Sequence, residues 1–410
     1  MSAIRSVAAF ACLVGVFACA PRSLVAQVAP TAASAPDPAR DLVARLELAR
    51  YKETIHGLTR FGDRRQGTDR NRAAIDWIAA QLLAYGCAPE RMEYEYTGQQ
   101  LRPPTRPAGT PPTVSAGPAT APRPVPPQKG NRGRTGVNTK PELQPDSTLR
   151  ALNAQPDTPG MREQVYCTKV GTLRPDEMFI VSAHMDGHGF GEAANDDGSG
   201  TAIVLELARV LNAPGVTSER SIRFVLWNNE ETGLNGSRAY VATRGPKQGE
   251  ESPAGSGRYP EPRWLGVIQH DMMLFDHGMP DSTGKVSPVQ RAEADVNIEF
   301  AGGSAMAAES QRLAWLFRAA NDRYATDYPA AVGDRMSNTD SAPFADLAPA
   351  ISLRENERLS QIGRGWDPHW HQPTDVFATF SDDDFRLGLN AAQTTLGAIV
   401  QLAGVTLSTP

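Results

Sequence analysis

The chain has 410 residues, of which 40% are hydrophobic and 21% are charged. This balance is typical of a globular protein and excludes an intrinsically disordered chain or a multi-span membrane protein. The formal net charge of -5 argues against a nucleic-acid-binding protein, because such proteins usually present a strongly basic face.

The first 26 residues are typical of a secretory signal peptide. Arg5 gives a positive start, and residues 7–18 form an apolar run well below the roughly 20 residues that a membrane-spanning helix needs. Cleavage after Ala26 would release a free secreted or periplasmic protein, and we favour this interpretation. The alternatives are a lipoprotein signal with a lipid anchor on Cys19 and a buried N-terminal helix. None of the three predicts stable insertion into a membrane.

Composition divides the rest of the chain into a short leader and one domain. Residues 27–40, rich in Ala and Pro, are predicted to be a flexible leader, and a single domain is predicted over 41–410. Apolar residues at helical spacing predict helices within 41–85, interrupted by a polar break at Gly62 to Gly67. Residues from about 100 to 160 are rich in Pro, Gly and Thr, which predicts a disordered surface insertion.

From residue 163 onward, strands and helices alternate. The predicted strands are 178–183, 222–227, 265–268 and 350–353, and the predicted helices are 201–211, 305–324 and 383–402. Such alternation predicts an α/β fold with a mixed, mostly parallel central sheet flanked by helices on both faces.

Two of the four cysteines clearly remain after signal cleavage. Cys87 and Cys167 can form a disulfide in an oxidising compartment, and two free buried thiols are equally consistent with the sequence. The sequence contains no Cys-rich zinc pattern. A metal site in this chain therefore has to use histidines and carboxylates.

Acidic residues and histidines follow the predicted strands at the point where each strand ends. His184 and Asp186 follow the first strand, Glu230 and Glu231 the second, and Asp271 the third. Because open α/β sheets build their sites at the carboxyl ends of parallel strands, we expect these side chains to converge on one crevice.

The converging set holds one or two histidines and at least four carboxylates, with no lysine or arginine expected among them. Crowded carboxylates repel one another, and a divalent cation removes that repulsion. Imidazole and carboxylate together suit zinc. Taken on their own, Asp196 and Asp197 lie in a Gly-rich loop before a predicted helix and could be helix N-caps. Glu230 and Glu231, taken on their own, could be a solvated pair at the end of a strand. Their joint occurrence at strand ends favours the metal centre.

Five segments carry a resemblance to a known family: His184-Met185-Asp186, Ala194-Asn195-Asp196-Asp197-Gly198-Ser199-Gly200, Asn229-Glu230-Glu231-Thr232-Gly233-Leu234-Asn235-Gly236-Ser237, Gln269-His270-Asp271-Met272 and His371-Gln372-Pro373-Thr374-Asp375. Together they resemble the co-catalytic zinc aminopeptidases, a family with a zinc-exopeptidase fold. The resemblance covers roughly residues 165–400. It implies an enzyme that binds two Zn2+ ions and hydrolyses peptides from their N-terminus.

The resemblance also implies a role for each residue. The five metal ligands would be His184, Asp196, Glu231, Asp271 and His371. Asp196 would bridge two zinc sites, one completed by His184 and Asp271 and the other by Glu231 and His371. Glu230 would be the general base, and Asp186 would orient His184. Asp375 would order the loop of the final ligand.

Three other histidines lie near these motifs in the sequence, and their roles have to be considered separately. His369 is an alternative to His371 as the final ligand, and His188 is read as a solvent-facing loop residue in preference to a substrate contact. His270 should point away from Asp271 on an extended strand.

Two further functions stay open at this stage. Trp370 beside His371 resembles the related glutaminyl cyclases, which implies a single-zinc transferase as an alternative. The other alternative is a non-catalytic binding ectodomain on the same scaffold. Side-chain specificity and oligomeric state do not follow from the sequence.

Overall fold

An eight-stranded mixed sheet forms the centre of the fold in the computed structural model, which describes residues 37–98, 136–336, 338–356 and 367–408. The described residues belong to one compact unit that begins at Asp37. The predicted signal peptide, the anchor position Cys19 and most of the predicted leader lie outside the described residues, as do residues 99–135 of the predicted insertion.

From β2 onward, pairs of strands alternate with helices. The strands are β1 (Pro89–Tyr96), β2 (Gly160–Lys169), β3 (Arg174–His184), β4 (Val216–Ser218), β5 (Arg220–Trp227), β6 (Arg263–His270), β7 (Val296–Phe300), β8 (Ala330–Gly333), β9 (Ala350–Arg354) and β10 (Val405–Leu407). The helices are α1 (Pro38–Val43), α2 (Leu48–Thr59), α3 (Asp69–Ala84), α4 (Ser147–Asn153), α5 (Gly198–Leu211), α6 (Asn235–Arg244), α7 (Ala307–Tyr324) and α8 (Asp382–Leu402).

The main sheet has the order β1-β2-β5-β3-β6-β9-β7-β8. Its four central strands, β5, β3, β6 and β9, run parallel, whereas β1, β2 and β7 pair antiparallel with their inner neighbours. The expected α/β fold with a mixed, mostly parallel sheet flanked by helices is therefore confirmed. β4 and β10 form a separate two-stranded sheet.

Each face of the sheet packs against its own hydrophobic layer, because successive side chains of a strand point to opposite faces. Val181 and Ile268 face a large core shared with α5 and α8. Ile180 and Val267 face a smaller core that contains Tyr240 of α6. Strands buried on both sides explain why the central segments are continuously apolar rather than alternating.

The structure corrects the sequence-based boundaries in three places. α1 begins at Pro38, so the predicted leader 27–40 is ordered at its end, where Ala39 is buried. In the part of the predicted insertion that the structure describes, Ser147–Asn153 is helical, so disorder is the wrong prediction there. The sequence also does not predict the strands β2, β4, β7, β8 and β10 or the helix α6.

A disulfide joins Cys87 to Cys167, which resolves the choice between paired and free thiols. It links the loop after α3 to β2, and the two half-cystines are 80 residues apart in sequence. Among the helices of the described residues, none combines the length and apolar character needed to cross a membrane.

Candidate metal centre

The carboxyl ends of three parallel strands bring the candidate ligands to one edge of the sheet. His184, the last residue of β3, pairs in register with Trp227, the last residue of β5. Ala183 pairs with His270, the last residue of β6. The three strands therefore end level with one another, and the residues that follow them are delivered to the same place.

Asp196 lies between two histidines that come from opposite parts of the chain. Its Oδ1 is 3.3 Å from Nε2 of His184, and its Oδ2 is 3.0 Å from Nε2 of His371. Each oxygen of one carboxylate thus faces a different imidazole, which is the arrangement that a carboxylate bridging two cations requires.

The neighbouring Asp197 has a different role. Its carboxylate accepts hydrogen bonds from the backbone N–H of Gly200 at 2.9 Å and of His184 at 3.2 Å. Asp197 is the N-cap of α5. The helix-capping interpretation therefore holds for Asp197, while the side chain of Asp196 is directed to the cluster.

The second half of the cluster contains three residues. Oε2 of Glu231 lies 3.0 Å from Nε2 of His371 and 3.1 Å from Nε2 of His188. The two imidazole rings stand edge to face with centroids 4.1 Å apart. The side chain of His188 is only 15% exposed, so its assignment to a solvent-facing position was wrong. His188 lies between Gly187 and Gly189 in an irregular loop, which leaves no periodic pattern in the sequence.

Asp271 is in contact with an arginine that the sequence analysis did not expect. Its Oδ1 is 3.9 Å from Nε2 of His184, and its Oδ2 accepts a hydrogen bond from Nη1 of Arg354 at 2.9 Å. Arg354 is the last residue of β9 and is 1% exposed. The expectation of a cluster without lysine or arginine is therefore wrong. The strand-end rule, applied to the predicted strand 350–353, would have found this residue.

His184 is oriented by a main-chain contact. Its Nδ1 lies 2.9 Å from the backbone carbonyl oxygen of Asp186, whereas the Asp186 carboxylate is 3.9 Å away and accepts from the backbone N–H of Glu230 at 3.1 Å. With Nδ1 held in this way, Nε2 is the nitrogen that faces the cluster.

The remaining predicted residues are placed as follows. His270 points away from the cluster, with Nε2 2.8 Å from Thr395 Oγ1 of α8. Nδ1 of His369 is 2.8 Å from Thr374 Oγ1, and His369 belongs to neither group of clustered ligand atoms found among the described residues. Of the two histidines proposed as final ligand, His371 is the one at the site.

The electrostatics of the ligands reflect close packing of opposite charges. Burial would raise the pKa of Asp196, but hydrogen bonds from His184 and His371 lower it far below its ordinary value. Burial likewise opposes the charge on Glu231, but His188 and His371 lower its pKa to about 2. Burial alone would lower the pKa of His371, but the neighbouring carboxylates of Glu231 and Asp196 raise it to about 10.

Glu230 behaves in the opposite way from its neighbour Glu231. Burial raises the pKa of Glu230 well above its usual value, and the nearby Glu231 and Asp340 carboxylates add to the shift. Asp340, a buried residue that the sequence analysis did not assign to the site, itself has a pKa raised by burial to about 7. A carboxyl group that readily holds a proton suits proton transfer, whereas one that stays ionised suits a cation.

The donor atoms fit a divalent cation. Within the described part of the chain, two groups have ligand atoms that all lie within 4.8 Å of one another: His184 with Asp196 and Glu231, and His188 with Glu231 and His371. Imidazole nitrogen and carboxylate oxygen are ligands that zinc accepts. In the absence of a cation, protonated histidines balance the negative charge of these carboxylates. A bound divalent cation would supply that positive charge instead.

Comparisons with known proteins identify a family for this chain. Residues 165–393 match peptidase family M28. The chain is 44% identical to aminopeptidase YwaD of Bacillus subtilis over 73 residues, which is 18% of this chain and 16% of that protein. The chain thus matches less than a fifth of the length of this curated relative.

Solved structures share the fold at low sequence identity. An aminopeptidase from Aneurinibacillus sp. strain AM-1 superimposes with a TM-score of 0.56 at 17% identity, over 89% of this chain and 96% of that one. Glutaminyl cyclase from Porphyromonas gingivalis superimposes with a TM-score of 0.52 at 15% identity, over 87% and 99%. Two different chemistries therefore occur on this fold, and the site has to distinguish them.

Proposed function

This chain belongs to peptidase family M28, and from that premise we propose that it is a zinc-dependent aminopeptidase that releases N-terminal residues from peptides. The observation that carries the proposal is the Asp196 carboxylate, whose two oxygens face His184 and His371 separately. A bridging carboxylate has a use only where two cations bind side by side, so we propose two Zn2+ ions per chain.

We keep the ligand assignment that the family resemblance implies, although in the described residues Asp271 belongs to neither group of clustered ligand atoms and Glu231 groups with His184 as well as with His371. His184 and Asp271 would complete one zinc site, and Glu231 and His371 the other, with Asp196 shared between them. His188 is an additional candidate at the second site, because it lies as close to Glu231 as His371 does. When bound, zinc lowers the pKa of a coordinated water and polarises a carbonyl group.

Glu230 would transfer the proton of the attacking water. Glu230, adjacent to the cluster but in neither ligand group within the described residues, would accept the proton of the attacking water and return it to the leaving amine. Its raised pKa suits a group that must hold a proton between these two events. Asp186 would orient His184 through its carbonyl oxygen and fix the backbone of Glu230 through its carboxylate.

Secretion remains part of the proposal. A signal peptide over residues 1–26 would place the enzyme in the periplasm or outside the cell, as a free protein or on a lipid at Cys19. The disulfide between Cys87 and Cys167 supports an oxidising compartment. Peptides would be the partners, and the negative net charge gives no reason to expect a nucleic acid.

A zinc-loaded sample of the full chain tests the function. The substrates are leucyl-, alanyl- and glutamyl-p-nitroanilide and their N-acetylated forms. We expect hydrolysis of the free substrates only, its loss with a chelator, its return on adding zinc, and about two zinc ions per chain. Hydrolysis confined to the acetylated forms contradicts the proposal. One zinc per chain with cyclisation of N-terminal glutamine would identify a cyclase, and zinc binding below one per chain without turnover a binding protein.

A further inference from the structure

Arg354 presents a buried positive charge beside the metal cluster. It is the last residue of β9, next to β6, and the backbone N–H of Asp271 donates to the carbonyl oxygen of Leu353 at 3.2 Å. The guanidinium contacts Asp271 from this position and is 1% exposed. A cation therefore stands one carboxylate away from His184.

Only one arm of the guanidinium is used in this contact. Nη1 donates to Oδ2 of Asp271 at 2.9 Å, whereas Nη2 has no hydrogen-bond partner in the part of the chain that the structure describes. A purely structural arginine–carboxylate pair usually uses both arms of the fork in parallel. An unpaired, buried N–H of a charged group costs free energy. This arm is therefore a ready donor for an anionic oxygen.

The contact with Asp271 relates Arg354 to the reacting bond. Asp271 is proposed as a zinc ligand, and the peptide bond to be cleaved has to lie against the zinc ions. Arg354 is thus in direct contact with a residue that would hold one of these ions. A carboxylate on the substrate would pair with a guanidinium more strongly than a neutral amide would, because both groups are charged and desolvated.

We propose that Arg354 is a specificity-determining residue that selects substrates carrying a carboxylate close to the scissile bond. This inference rests on the proposed function for the location of that bond. Two substrate groups offer the required chemistry: the acidic side chain of an N-terminal Glu or Asp, and the terminal carboxylate of a dipeptide. The test separates them.

Binding to the zinc-loaded full chain, measured by titration calorimetry in the Glu230→Gln background so that the ligands are not hydrolysed during the titration, is the first measurement. Glutamic acid α-amide and glutamine α-amide differ only in the side-chain carboxylate, and Leu-Gly and Leu-Gly amide differ only in the terminal one. We expect the acid of at least one pair to bind about 10-fold or more tightly than its amide, a typical effect of one charged hydrogen bond. The pair that shows the preference identifies the source of the carboxylate.

Variants assign the preference to Arg354. Arg354→Gln should abolish the acid-to-amide ratio and Arg354→Lys should retain part of it, whereas Arg312→Gln, on an arginine whose side chain is 69% exposed, should leave it unchanged. Ratios within one variant cancel any loss of zinc or of folded protein. The kcat/KM values for the corresponding glutamyl and glutaminyl p-nitroanilides should follow the same order.

The outcomes separate this inference from the proposed function. Equal binding of acid and amide in both pairs, no measurable binding of either acid, or an unchanged ratio in Arg354→Gln overturns the inference. An unchanged ratio would mean that Arg354 only balances the charge of Asp271. Hydrolysis of peptides without a preference would leave the aminopeptidase intact. A preference in binding without any hydrolysis would refute the aminopeptidase and retain the carboxylate site.

Discussion

The carboxylate of Asp375 accepts a hydrogen bond from the backbone N–H of Asp196 at 3.1 Å, and its other oxygen accepts from Asn195 at 2.8 Å. Asp375 follows His371 by four residues, so one carboxylate connects the loop of the final histidine to the loop of the shared aspartate. From the sequence, Asp375 is expected to order only the loop of His371. The contact joins two residues that are 179 positions apart in the sequence, and it explains how their segments present His371 and Asp196 to one another.

Asp375→Asn should weaken zinc binding. The carboxylate of Asp375 accepts two backbone hydrogen bonds, whereas the side-chain amide of asparagine has only one oxygen and would place its NH2 group against the second backbone N–H. Asp196 would then lose its fixed position relative to His371. Loss of a group that orients a ligand typically costs about 10- to 100-fold in metal affinity. Competition with a chromophoric chelator measures the affinity. Asp382→Asn, on a side chain that is 61% exposed, is the matched control. Equal affinity in the two variants would refute this role.

Glu230→Gln should separate proton transfer from metal binding. We expect zinc content close to that of the unmodified chain and a fall in kcat of about 100- to 10,000-fold, the usual contribution of a general base. Glu231→Gln, one residue along, should instead lose zinc, because Glu231 belongs to both ligand groups of the described residues. Metal analysis and steady-state rates on both variants check the division. Full turnover in Glu230→Gln would refute the assignment of Glu230 as the general base.

The strand-end rule explains how much of this site the sequence could predict. His184, Glu231 and Asp271 each follow an apolar run, and parallel strands in register carry such residues to one edge whatever the intervening loops do. Arg354 obeys the same rule, but an arginine does not ligate a metal, so a search for ligands at strand ends does not include it. His188 and Asp340 could not be predicted in this way, since turns rather than strand ends bring them to the cluster.

The fold shows a similar division. The central strands and α5, α7 and α8 were predicted because long apolar runs and helical spacing are local properties of the chain. β7 and β8 are only five and four residues long, so neither offers a pattern that exceeds chance. Ser147–Asn153 was hidden by the Pro-rich composition around it, although Asp146 caps the helix by accepting from the backbone N–H groups of Thr148 and Leu149.

The disulfide should contribute a large part of the stability. Replacing Cys87 and Cys167 together by serine removes a cross-link between positions 80 residues apart, which releases conformational entropy in the unfolded chain. We expect a loss of about 2–5 kcal/mol in the free energy of unfolding. Urea unfolding of the variant, and of the unmodified chain with and without reductant, measures it. A reductant that lowers the stability of the double variant as well would show that the effect has another origin.

His277 should make stability depend on pH. Its Nε2 lies 2.7 Å from Oδ1 of Asp384 at the start of α8, and its Nδ1 lies 2.9 Å from the carbonyl oxygen of Ser287. Both neighbours are acceptors, so the protonated ring satisfies both and the neutral ring only one. Burial alone would lower the pKa of His277, but these hydrogen bonds raise it above the ordinary value.

The sign of the effect follows from the raised pKa. Because the folded protein holds the proton more tightly than the unfolded chain, the stabilisation is fully present below pH of about 6.5 and declines as the pH rises through the folded-state value. His277→Gln should therefore destabilise the protein by about 1–3 kcal/mol at low pH, the cost of losing hydrogen bonds to a charged group, and by less at high pH. Urea unfolding of both proteins across this pH range gives the difference directly, with the zinc content held equal. A difference that stays constant, or grows with pH, would mean that His277 is neutral in the folded protein and that the contact with Asp384 is held by other means.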